Sequence, residues 1–120
     1  MKLTDQFQGN FLEALHLEGE GDVVVTIDQI TPSNEEKDKA GREIDRPILK
    51  FLGTERRWIL NKTNGRTIGH LYGNTMENWL GKKIALYATT TRMGRDTVPC
   101  VRVRPWDPDT GKPTNIFSTT

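Results

Sequence analysis

The residues with chemistry to offer in this sequence are cations and aromatic rings, gathered after position 41. Arg42, Arg46, Lys50, Arg56 and Arg57 crowd one stretch, with Trp58 directly after the arginine pair; Tyr87, Arg92, Arg95, Arg102 and Arg104 follow. Guanidinium groups grip phosphate oxygens through paired hydrogen bonds. Aromatic faces let bases stack, each stack contributing roughly 1–3 kcal/mol. That combination predicts a surface for single-stranded nucleic acid. Residues 1–41 carry three basic and nine acidic side chains, and residues 42–104 thirteen basic and five acidic, so the net charge of +1 conceals an acidic segment and a basic one. A basic segment points to a polyanion. The alternative is that the two segments interleave in the fold and cancel.

A search for catalytic or metal chemistry returns single residues. His16 and His70 have no second histidine or cysteine at ligand spacing, so they read as structural or surface residues. Cys100 has no base beside it in sequence and reads as a small buried hydrophobe. Asp107-Pro108-Asp109 has the composition of an Asx turn, and Glu35-Glu36-Lys37-Asp38 that of a solvated loop. These absences predict a protein that is not an enzyme and uses no metal and no cofactor.

The elements that must position the cations can be read from periodicity. Phe7, Phe11, Leu12, Leu15 and Leu17 are spaced for one face of a short helix or turn, which Gly19 and Gly21 stop. Asp22–Thr31 alternates as a strand, with Val23, Val25 and Ile27 to one side. Pro32–Asp45 is a charged loop. Arg46–Leu52 and Arg57–Leu60 read as the second and third strands. A helix capped by Thr63 or Asn64 runs to Tyr72, turning Ile68, Leu71 and Tyr72 inward, with Met76 and Trp79 packed beneath. Lys83–Thr91 is the fourth strand and Val98–Arg104 the fifth, joined by a loop containing Met93-Gly94. Trp58 fits either the core or a stacking surface, Tyr87 faces away from Leu86 and outward, and Trp106 fits a stacking residue or a packing clamp.

Three strands, a helix and two strands is the chain order of the five-stranded OB-type Greek-key barrel, with its helix between strands 3 and 4. The expected class is mainly β. One domain is expected at this length: residues 1–21 pack on a barrel of residues 22–105, and residues 106–120 form a loosely held tail. In an OB barrel the groove crosses the second and third strands, flanked by the first-second and fourth-fifth loops, which is where the basic residues fall. No apolar run resembles a signal peptide or approaches the ~20 residues of a membrane helix. The lone cysteine fits the reducing cytoplasm.

Beyond this pattern, Leu60-Asn61-Lys62-Thr63-Asn64, Leu71-Tyr72-Gly73, Trp79-Leu80-Gly81-Lys82, Leu86-Tyr87 and Val101-Arg102-Val103-Arg104 resemble motifs of a family of small phage and prophage proteins. The resemblance spans roughly Phe7 to Pro105. It implies an OB-like fold and a place in phage DNA metabolism, in replication or recombination. Two classes of partner are therefore expected. One is single-stranded DNA or RNA. The other is a phage replication or recombination protein, or a host-defence protein, docked on the same surface by a non-enzymatic adaptor.

Overall fold

The computed structural model describes residues 11–109 and the pair 112–113. The expectations for Phe7 and for the rest of the tail lie outside the described residues. The element order is β1 (Val23–Thr31), β2 (Ile48–Phe51), β3 (Arg57–Ile59), α1 (Lys62–Tyr72), β4 (Lys83–Met93), β5 (Asp96–Val103), β6 (Trp106–Asp107) and β7 (Lys112–Pro113), with single 3₁₀ turns at Ala14–His16 and Met76–Trp79. The fold is mainly β. β1 to β5 form an antiparallel sheet ordered β3-β2-β1-β4-β5, curled into a half-barrel.

The curl originates in β1. Its first half, Val23–Thr26, pairs with β4, and Ile27–Thr31 pairs with β2. Just past the switch, within the pairing with β2, the register shifts, leaving Asp28 as an extra residue between Ile27 and Gln29. A bulge of this kind bends and twists a strand, so one strand serves both halves of the sheet. The inner face gathers Ile27, Leu49, Phe51, Ile84 and Leu86, all essentially inaccessible. Val23 and Val25, nearer the rim, are half-buried.

The seam between the edge strands β3 and β5 is covered by two pieces of non-sheet chain. On one side the N-terminal segment lies along β3, where the Leu12 N–H donates to the Arg57 carbonyl at 2.7 Å. It then turns onto β4 and β5 and buries Ala14 and Leu17. Of the expected alternatives, a short helix or a turn, the turn is formed. The segment is a single 3₁₀ turn and leaves Leu15 62% exposed, because its backbone spends its donors on β3 and on tight turns. On the other side lies α1. Its cap is Asn61, whose Oδ1 accepts the Asn64 N–H at 2.8 Å, two or three residues earlier than expected. Asn64 is instead inside the helix, 1% exposed, and its Nδ2 donates to the Val101 carbonyl of β5 at 2.8 Å. Ile68 fills the core below it, and the Trp79 indole N–H donates to the Gly73 carbonyl at 2.8 Å.

Two other elements, β4 and β5, differ from expectation. They run further than their hydrophobic pattern, to Met93 and from Asp96. In the described part of the tail, Trp106–Asp107 pairs with Lys112–Pro113 and packs on β4. Asp107 makes the expected Asx turn, its Oδ1 accepting the Asp109 N–H at 2.8 Å.

Candidate nucleic-acid interface

Four of the nine cations singled out in the sequence, Arg42, Lys50, Arg57 and Arg104, meet an acid in the fold. On the outer face of β2 and β3, Lys50 Nζ lies 3.7 Å from Asp28, and Arg57 pairs with Glu36 while its guanidinium sits 5.2 Å from the Phe11 ring centroid. In the β1–β2 loop, Arg42 Nε lies 3.5 Å from Asp38. Asp38 also accepts the backbone N–H groups of Arg42 and Ala40, at 3.0 and 2.9 Å. The Arg42 amide, foremost, holds this carboxyl below the ordinary aspartate range, against some desolvation. Arg104 grips Asp22 with Nε and Nη2 at 3.0–3.2 Å. In all four pairs the acid comes from residues 1–41 and the base from residues 42–104. The two charged segments interleave, and much of the apparent basic surface is internally compensated.

The aromatic expectations divide. Trp58 is 5% exposed, its ring 6.1 Å from that of Phe51. It faces inward beside Leu49, so it is a core residue and offers no face to a base. Tyr87 is half-buried on the outer face, but one side of its ring is taken: the Arg104 guanidinium lies 3.6 Å from the ring centroid and 5.5 Å from that of Trp106. Tyr87, Arg104, Trp106 and Asp22 form one surface stack that joins the tail to β4, so Tyr87 and Arg104 are engaged with each other, and Arg104 with Asp22. Arg102 lies opposite Tyr87 on β5, half-buried, with Nη1 unpartnered among the described residues. Arg56, half-buried ahead of β3, donates its backbone N–H to Thr54 Oγ1 at 3.1 Å.

The β4–β5 hairpin is different. Past Thr89 its side chains are exposed or half-buried on both faces, so the two strands leave the body as a ribbon. The ladder continues through Thr90↔Pro99, Thr91↔Val98 and Arg92↔Thr97 to Met93↔Asp96. That leaves only Gly94 and Arg95 to turn the chain. Gly94 takes φ +64°, the conformation that two-residue hairpins demand at their first central position. Pro99 is accommodated because β5 is an edge strand whose outer side needs no N–H. The strand pairing puts Arg92 and Arg95 at the tip, both exposed and with no ion pair among the described residues, beside Met93 at 65% exposure.

A second group of unpaired cations sits at the opposite end of the sheet. Arg46, exposed at the foot of the β1–β2 loop, shares a cavity of about 660 Å³ with Lys62 and Arg66 of α1. Sequence reasoning passed over Lys62 and Arg66. Their i, i+4 spacing, which sets both on one helix face, was the signal available. The two histidines and the cysteine stay apart: the Glu13 N–H donates to His16 Nδ1 at 2.9 Å, His70 is exposed on α1, and Cys100 is half-buried on β5 rather than in the core. Among the described residues no three His, Cys, Asp or Glu side chains gather as a metal site, and no helix is long and apolar enough to cross a membrane.

Compared with known protein families, curated proteins and solved structures, the chain matches none.

Proposed function

We propose that this protein is an OB-type, non-enzymatic binder of single-stranded nucleic acid, single-stranded DNA first, acting in the replication or recombination of phage DNA. The observation that carries this reading is the β4–β5 ribbon, which holds two uncompensated arginines beyond the body of a curled sheet ordered β3-β2-β1-β4-β5. That order fits a barrel whose fourth-fifth loop walls a groove across β2 and β3. The β1–β2 loop supports the opposite wall. It is folded on itself, with the Asn34 N–H on the Ile44 carbonyl at 2.8 Å and the Ile44 N–H on the Glu36 carbonyl at 2.7 Å, and the Glu36–Arg57 pair ties it to β3.

Between the walls, Lys50 and Arg57 are compensated by Asp28 and Glu36. Partly exposed pairs of this type contribute roughly 0–1 kcal/mol, so a phosphate displaces the carboxylate at little cost. Arg92, Arg95, Lys50 and Arg57 then supply four phosphate contacts. Weak sequence dependence follows, because phosphate contacts carry no sequence information. The test is binding of short oligonucleotides as single strand, duplex and RNA across a salt series. Four neutralised phosphates give a slope of log affinity on log salt of about −0.7 × 4, near −3. A salt-independent affinity or a preference for duplex contradicts the reading, and favours a protein partner for the ribbon and its exposed Met93.

A further inference from the structure

The cavity at the foot of α1 is built unlike the rest of the surface. Arg46, Lys62 and Arg66 line it with a single carboxylate, Asp45, and none of the three cations has an ion pair among the described residues. Arg42, Lys50, Arg57, Lys83 and Arg104 are each compensated by a carboxylate, so three cations left open around one concavity mark a place for an anion. The floor is apolar, made of Pro47, Leu60, Met76 and Trp79. The Trp79 N–H is already donated to Gly73 and the side chain is 3% exposed, so it closes the bottom of the cavity as a buried floor. Two side-chain amides, Asn61 and Asn74, stand at its wall, each with donor and acceptor capacity.

Gly65 explains why there is room. It lies in the middle of α1, where glycine costs about 1 kcal/mol relative to alanine. A Cβ built there meets nothing closer than Leu60 Cδ2 at 3.5 Å, so packing does not require glycine. Its missing side chain opens the cavity between Lys62 and Arg66. The volume falls within the roughly 300–1,000 Å³ of small-ligand sites. A net rim charge of two positive units matches a phosphate monoester, which carries about −1.5 to −2 at neutral pH.

We propose that this cavity binds a nucleoside 5′-monophosphate, free or as the phosphorylated end of a strand, with Arg46, Lys62 and Arg66 on the phosphate and the base over the half-buried Pro47 and Met76. A bare phosphate leaves the apolar floor unused, and an uncharged ring leaves the cations unmatched; the two halves together select a nucleotide. The strand-end form of the ligand deepens the nucleic-acid reading and rests on it, whereas the free nucleotide does not.

The experiment is calorimetric titration of the intact protein with dAMP, deoxyadenosine and inorganic phosphate. The dAMP is expected to bind tighter than either fragment by roughly tenfold or more, the loss of one or two charge-assisted contacts. Arg66→Ala, an exposed change that leaves the fold intact, and Gly65→Leu, which fills the cavity, both weaken dAMP, while Arg92→Ala with Arg95→Ala leaves it unchanged. An oligonucleotide bearing a 5′-phosphate binding tighter than its 5′-hydroxyl twin identifies the strand end as ligand; equal binding of the two with dAMP still bound identifies the free nucleotide. No dAMP binding beyond that of phosphate, or dAMP binding indifferent to Arg66→Ala, overturns the proposal. Because dAMP is not a strand, a failure of strand binding leaves this result readable by itself.

Discussion

Replacing Asn64 by alanine tests how the half-barrel closes. Asn64 is the one buried polar side chain among the described residues, and it donates to the Val101 carbonyl on the free side of β5. Without it that carbonyl is buried unpartnered, at about 1–3 kcal/mol. Two effects reduce the loss. Asn64 Oδ1 is itself buried without a partner, so its removal relieves a desolvation cost, and alanine is the better helix former by up to about 0.7 kcal/mol. The net expectation is a destabilisation of about 1–2 kcal/mol, a fall in Tm of roughly 4–8 °C for a domain of this size, read by urea and thermal unfolding. Asn64→Asp is the sharper probe. Its buried carboxylate faces a carbonyl oxygen, so its folded-state pKa lies above the unfolded value. The proton that restores the donor is held at low pH, and its stabilisation is lost as pH rises through the folded pKa. The aspartate variant should therefore approach the parent in acid and fall below it at neutral pH. An alanine variant within 0.5 kcal/mol of the parent, about the noise of a neutral surface change, with a pH-independent aspartate variant, would refute the role assigned to Asn64.

Trp58→Ala should cost about 3–5 kcal/mol, because the ring is core; a stable, folded variant with weakened binding would restore it to the surface. Gly73→Ala should destabilise by about 1–3 kcal/mol, since Gly73 ends α1 at φ +96° and ψ 171°, and unchanged urea unfolding would refute that. Burial, then the nearby Asp107 and Asp109, push the Tyr72 phenol up to about 12, while its O–H donates to the Lys83 carbonyl at 2.5 Å. The folded state thus holds this proton longer than the unfolded chain, and stability should decline as pH rises from about 10 towards 12. Tyr72→Phe should lack that decline, and the tyrosinate absorbance of the parent should show one late titration.

The strands β1 and β4 were legible because their core face repeats every second residue, at Val23, Val25 and Ile27 and at Ile84 and Leu86. The ribbon beyond Thr91 was not, since neither face is buried and no hydrophobic period marks it. Asn61 and Asn64 are chemically alike, and which one caps α1 is decided by the reach of Asn64 to β5, a long-range contact that local pattern does not contain. The cations were legible as a set but not their partners. Asp28 to Lys50, Glu36 to Arg57 and Asp22 to Arg104 are set by strand register and loop folding, and they turned an apparently basic face into a compensated one. Trp58 beside two arginines looked like a stacking residue; the register Leu49↔Trp58 turns it inward.

The most direct test of the central claim is the salt dependence of single-stranded DNA binding in the ribbon-tip variant, Arg92→Ala with Arg95→Ala. These side chains are exposed and make no ion pair among the described residues, so thermal unfolding should match the parent. Binding should weaken for every sequence, and the slope of log affinity on log salt should flatten by about 2 × 0.7 units. A variant that folds, binds and responds to salt as the parent does would contradict the assignment of the β4–β5 ribbon as a wall of the binding groove.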